Sequence, residues 1–119
     1  NLIAACQAAG VAVMNIRIFA GGTLADPEPH GREWPITRNS DIATEQARAE
    51  KLFAAMAPDQ GSRAQAAVRF GLAHPGVSGV VLGLAELSHL EEALAAAAMG
   101  PLPDDVIAGL QPVWDGDFA

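Results

Sequence analysis

Two places along the chain combine residue types that can hold an anionic ligand. The first is "VVLGLAE", Val80 to Glu86, where an apolar run reaches Gly83 and a helical pattern follows. The missing side chain at Gly83 permits close approach, and the helix start beyond it offers unpaired N–H groups and a positive dipole end to a phosphate. The plain alternative is that Gly83 only makes a tight turn. The second place is Arg17, at the end of another apolar run. Its guanidinium can reach a substrate or a phosphate, or it can pair with a loop carboxylate such as Asp26.

Other reactive side chains read more plainly. Asp26, Glu28, His30 and Glu33 fall in one loop without the regular spacing of a metal site, so no metal is expected and the group reads as a solvated loop. Trp34, in "GREWP", either walls a substrate pocket or anchors the loop by packing. His74 precedes Pro75 at a helix end, where an imidazole suits the last carbonyls. Ser88 and Glu91 have the spacing of a capping box.

Composition narrows the partners. Seven basic against 14 acidic residues give a net charge of −7, which disfavours phosphate backbones and anionic lipid surfaces. No apolar run approaches the ~20 residues that span a bilayer, and the first residues lack a basic, cleavable leader pattern. The lone Cys6 cannot form an internal disulfide and reads as a small buried hydrophobe. These features suggest a cytoplasmic protein that binds neither nucleic acid nor membrane.

The elements that must position the candidate residues follow from periodicity. "NLIAACQAAG" reads as a helix already under way, with Leu2, Ile3, Cys6 and Ala9 on one face and Gly10 as its stop, which suggests a fragment of a longer chain. Strands are expected at about Val11–Ile16 and Val77–Leu82, each apolar throughout and so buried on both faces, as in a parallel sheet. The Gly-, Pro- and Asp-rich stretch between Ala20 and Ser40 is long enough for a functional loop. A helix from Asp41 ends before Pro58. Another starts with the capping pair Ser62 and Gln65 and buries Ala64, Ala67, Val68, Gly71 and Leu72. A third buries Leu90, Ala93, Leu94 and Ala97 and stops at Gly100, and a last one starts at Pro103 and runs to about Val113. Strands alternating with helices imply an α/β fold, either a (β/α) barrel or a doubly wound sheet. In both, ligands sit at the carboxyl ends of the strands, which places the site at the segments beginning with Arg17 and Gly83.

The stretch "VRFGLAHPGVSGVVLGLAELSHLEEAL" followed by "GPLPDDVIAGL" resembles the carboxyl-terminal portion of the aldo-keto reductase family, and "GVAVMNIRIFAGGTLA" is similar to that family's seventh strand and cofactor loop. Only about Asp26 to Arg38 is individual. The resemblance implies a partial (β/α)8 TIM barrel, with residues 1–119 supplying the last two parallel strands of a single domain and their flanking helices. It implies NAD or NADP as cofactor, held by Ile16, Arg17 and the loop Phe19, Ala20, Gly21, Gly22 and Leu24. Gly83, Leu84, Ala85, Glu86, His89 and Glu92 complete the cofactor set, with Trp34 as a substrate contact. Partners would be the dinucleotide, a small carbonyl or sugar substrate and the remainder of the barrel.

The same resemblance assigns no catalytic residue here. The family's catalytic Asp, Tyr, Lys and His lie upstream, while this sequence has no Tyr and one Lys, Lys51, on a helix face expected in solvent. Ile16 stands where the family often stacks a Tyr on the nicotinamide. Ala85 and Glu86 stand where it often has Lys or Arg for a 2′-phosphate, which tilts the expectation toward NAD. The expected function is therefore part of an NAD(P)-dependent oxidoreductase acting on an aldehyde, ketone or sugar. The alternative is a non-catalytic, cofactor-binding regulatory subunit of the same fold.

Overall fold

A computed structural model describes residues 1–119. The elements run α1 (Leu2–Ala8), β1 (Met14–Asn15), a 3-10 turn (Ala20–Gly22), α2 (Ile42–Ala55), α3 (Arg63–Gly71), β2 (Gly79–Val80), α4 (Leu87–Met99) and α5 (Asp104–Asp115). The two strands pair in parallel, Met14 opposite Gly79 and Asn15 opposite Val80. Backbone bonds from Ser78 N–H to the Val13 carbonyl (2.8 Å) and from Val81 N–H to the Asn15 carbonyl (2.9 Å) extend the ladder on both sides.

Local chemistry explains the helix boundaries. The Asp41 carboxylate accepts the Thr44 N–H at 2.7 Å and caps α2. Ser62 and Gln65 form the expected reciprocal box at the start of α3. Gly100, at φ 78°, ends α4, and Asp104 and Asp105 occupy the first turn of α5.

The core is built from small side chains. Ala64, Ala66, Ala67 and Val68 of α3 are buried together with Ala96 of α4, so these two helices approach closely. Leu102, Val106 and Leu110 bury the start and inner face of α5, which packs on α2. Gly71 brings the end of α3 onto the strands: a Cβ there would lie 2.6 Å from Ile18 Cδ1, and its carbonyl accepts the Asn15 side-chain amide at 3.2 Å. Arg69, 6% exposed, spends its guanidinium on carbonyl oxygens of Gly100 (2.9 Å), Gln60 (3.1 Å) and Pro101 (3.3 Å), and on Gln60 Oε1 (3.0 Å). It thereby pins the α4–α5 link to α3.

Three expectations need correction. The strands are shorter than the apolar runs, and they are not buried on both faces: Met14 is 56%, Ile16 60% and Val81 51% exposed. Each strand has one neighbour, so the ladder ends where pairing ends. The expected stripe of α4 is also turned. Ala96 is fully buried and Ala93 half-buried, while Leu90, Leu94 and Ala97 are exposed. The alanine surface of α3 admits the small-residue face of α4 and leaves the leucine face outward. Finally, α1 buries no residue; Ile3 reaches the Gly76 turn, but Cys6 is only half-buried and Leu2 is exposed.

Candidate cofactor site

A cavity of about 960 Å³ opens where the two strands end. One wall is Arg17, Ile18, Phe19, Gly21 and Gly22, the chain that leaves β1. The facing wall is Val81 to Glu86 with His89, Glu92 and Ala93, the chain that leaves β2 and enters α4. Ala64 and Val68 of α3 form its back, and the loop through Asp26, His30, Arg32 and Trp34 its rim.

The exit from β1 is strained. Arg17 at φ 57° and Ala20 at φ 48° are in the left-handed region, which costs a non-glycine residue about 1 kcal/mol or more. The Arg17 carbonyl accepts the Ala20 N–H at 3.0 Å, which turns the chain sharply out of the strand. Its guanidinium forms no ion pair with Asp26 or any other carboxylate, and the residue lines the cavity. Of the two readings of Arg17, the loop-carboxylate pairing is absent.

Gly83 is free of the usual structural demands on a glycine. It is not in the left-handed region, and nothing lies within 4 Å of the position its Cβ would take. The turn itself does not require a glycine; open space at the cavity wall is what the residue provides.

The start of α4 differs from expectation. Its N-cap is Glu86, extended at φ −137°, ψ 157°, and no side chain caps the first amides, so the Ser88–Glu91 box does not form. The Ala85 N–H instead donates to His89 Nδ1 at 3.4 Å. Glu86 is exposed on the cavity wall, and its carboxylate has no hydrogen-bond or ion-pair partner; its carbonyl accepts the His89 N–H at 3.2 Å. Glu92 accepts the Ser62 hydroxyl, joining the site to the capping box of α3.

The long loop folds back over the turn after β1. The Trp34 N–H donates to the Gly21 carbonyl at 2.9 Å, while a Cβ on Gly21, at φ 70°, would run into the Trp34 carbonyl oxygen. Trp34 therefore both walls the cavity and anchors the loop, but it anchors through its backbone, and the residue stays 73% exposed. Glu33 holds the loop's bend: its carboxylate accepts the N–H of His30 (2.6 Å) and of Gly31 (2.9 Å), and the His30 amide holds its pKa below the ordinary value.

Not all the expected residues gather here. Arg17, Phe19, Gly21, Gly22, Trp34, Gly83, Leu84, Ala85, Glu86, His89 and Glu92 share the cavity wall. Ala20 and Leu24 line a separate hollow of about 230 Å³ against Glu45 and Leu52 of α2, because the 3-10 turn points them to its other side. Ile16 sits on the exposed strand face, outside the wall. His74 does not serve the last helix carbonyls; its Nδ1 accepts the Gly76 N–H at 3.0 Å and shapes the turn into β2. His30 and Arg32 join the wall unforeseen, since no periodic pattern reports where a loop returns.

The family model described as "Aldo/keto reductase family" matches residues 1–115. The chain belongs to the aldo/keto reductase family. Five helices and a parallel strand pair are what part of an aldo/keto reductase (β/α)8 barrel contributes. A search of curated proteins finds no match. As in a barrel, the cavity of this aldo/keto reductase chain lies at the carboxyl ends of its strands. No single helix is long and apolar enough to cross a membrane.

Proposed function

We propose that this chain is the carboxyl-terminal part of a cytoplasmic, NAD(P)-dependent oxidoreductase that interconverts a carbonyl and an alcohol, and that it supplies the cofactor-binding loops. One observation carries the reading: the loop after β1 and the loop after β2 face each other across one cavity, with Arg17 unpaired on one side and an uncapped helix start on the other. A dinucleotide fits this donor set. Its diphosphate needs cationic and N–H donors, which Arg17 and the first amides of α4 offer, and Gly83 leaves room for its approach. When bound, the nicotinamide supplies the hydride chemistry; the residues of this chain position it. The catalytic Tyr and Lys come from the rest of the barrel, which also covers the apolar faces of β1 and α4.

Glu86 favours NAD over NADP. A 2′-phosphate brings about two negative charges that a nearby carboxylate repels, whereas a ribose 2′-hydroxyl donates to the same carboxylate. Glu86 lines the cavity, is exposed and has no basic partner. The test is a fluorescence titration of the full-length protein with NADH and NADPH, reading Trp34 against a Trp34→Phe control. Saturable quenching that depends on Trp34 is the expected result; absence of binding to both cofactors overturns the proposal.

A further inference from the structure

We infer that Phe118, on the turn that leaves α5, is a positioning residue: it props the Ala20–Leu24 turn from behind and so holds the cavity wall that the same turn presents on its other side. The inference rests on the dinucleotide reading above for what the turn serves, and goes beyond it in naming what holds the turn.

The chain after β1 makes a partition one turn thick. Gly21 and Gly22 line the cavity, while Ala20, Thr23 and Leu24 line the hollow behind it. Its own bonds are local: the Phe19 carbonyl accepts the Gly22 N–H at 2.8 Å and the Leu24 N–H at 3.1 Å, and Thr23 Oγ1 donates to the Ala20 carbonyl at 3.0 Å. Ala20, Gly21 and Gly22 all have positive φ, at 48°, 70° and 106°. Backbone of this kind keeps its shape only where its surroundings hold it. The Trp34 N–H on the Gly21 carbonyl is one restraint. A second lies across the hollow.

There Phe118 stands with Ala49 and Leu52 of α2. Its N–H donates to the Val113 carbonyl at 2.9 Å, its carbonyl accepts the Lys51 ammonium, and the Arg48 guanidinium lies over its ring, 5.4 Å from the centroid. Arg48 is itself drawn to the hollow, since its Nη1 lies 3.7 Å from Glu45 Oε1, a buried oxygen with no hydrogen bond. Asp117 and Phe118 are both left-handed, at φ 49° and 59°, an unfavourable backbone for residues that carry a Cβ. These contacts offset that strain and seat the ring behind the turn. Without the ring, Ala20 and Leu24 lose apolar support and the turn can relax into the hollow. Phe118 lies beyond residues 1–115, so the family match assigns it no role.

Hydrogen exchange of the full-length protein, without cofactor, tests the support, and fluorescence titration with NADH tests its consequence. Phe118→Ala is expected to speed exchange of the Gly22 and Leu24 amides about tenfold relative to the α3 amides, and to weaken NADH binding about threefold. Phe118→Leu, which keeps an apolar side chain, is expected to bring both to within about twofold of wild type. Arg48→Met removes the charge over the ring and is expected to shift both readouts in the direction of Phe118→Ala. If Phe118→Ala does not fold, Arg48→Met decides, and no shift there overturns the inference. Unchanged exchange at Gly22 and Leu24 in a folded Phe118→Ala overturns it whatever NADH does. Exchange that rises equally in the turn and in α3 shows that Phe118 only stabilises the fold, which also overturns it. Faster turn exchange with unchanged NADH affinity overturns the positioning role and leaves the dinucleotide reading standing. Faster turn exchange with no NADH binding even in wild type upholds the hold of Phe118 on the turn and removes the dinucleotide.

Discussion

Gly21 and Trp34 hold each other in a one-sided clasp: the Trp34 N–H donates to the Gly21 carbonyl, and the Trp34 carbonyl fills the space where any side chain on Gly21 would begin. The loop can lie on the turn only because residue 21 has no Cβ and tolerates φ 70°. Gly21→Ala is expected to lift the loop, cost about 1–3 kcal/mol and weaken dinucleotide binding. Gly31 is the control, since its φ is 78° but its Cβ position is open, so Gly31→Ala carries only the conformational cost of about 1 kcal/mol. Equal effects in urea melts of the two variants would remove the clasp from the account.

Glu86→Arg reverses a charge on the cavity wall without touching the core. The ratio of kcat/KM for NADH to that for NADPH should favour NADH in the full-length protein and fall about tenfold or more in the variant. A wild type that prefers NADPH, or a ratio that does not move, defeats the assignment.

Gly83→Val separates a turn glycine from a clearance glycine. Because the backbone there is ordinary and the space is open, thermal stability should change by less than ~1 kcal/mol while dinucleotide affinity drops about tenfold. A folded variant with unchanged affinity places the ligand elsewhere.

Arg69→Met keeps the bulk of the side chain and removes its hydrogen bonds to the α4–α5 link and Gln60. Losing this set of part-buried hydrogen bonds is expected to cost about 2–4 kcal/mol in total. Denaturant unfolding of the full-length protein measures it; a loss under ~0.5 kcal/mol would show that water replaces the guanidinium.

Glu33 ties stability to acid pH. Its folded pKa lies below the ordinary 4.5, mainly through the His30 N–H, so its contribution is complete above that value and is lost as pH falls through the folded one. Glu33→Gln should lower the urea midpoint at pH 7, and the difference from wild type should shrink as the pH falls below the ordinary carboxylate range. A difference that stays constant on acidification would mean that the charge is not what matters.

The starts of α2 and α3 were legible because their signals are local: Asp41 with Thr44 and Ser62 with Gln65 lie within one turn. The loops after Arg17 and Gly83 were legible because parallel strands put their carboxyl ends together. The burial of α4 was not, since the choice between its leucine face and its Ala96 face is made by α3, a partner the period of α4 does not describe. Nor were His30 and Arg32, whose return to the cavity depends on the Gly21–Trp34 clasp. The resemblance placed Ala20 and Leu24 with Gly21 and Gly22 as neighbours in one loop; the tight 3-10 turn sends them to opposite sides.

The strand pair also sets a clock for synthesis. Val13 and Ser78 are joined across the ladder although 65 positions separate them. At a ribosomal rate of roughly 5–20 residues per second, β1 leaves the exit tunnel about 3–13 s before the segment that pairs with it. Through that interval Met14 and Ile16 travel on an open edge, and α2 and α3 have time to form between them. Nascent chains arrested before Ser78 should be cleaved by protease near β1, and chains arrested well beyond Leu82 should resist. Early protection would mean that something other than β2, a chaperone or another strand, reaches that edge first.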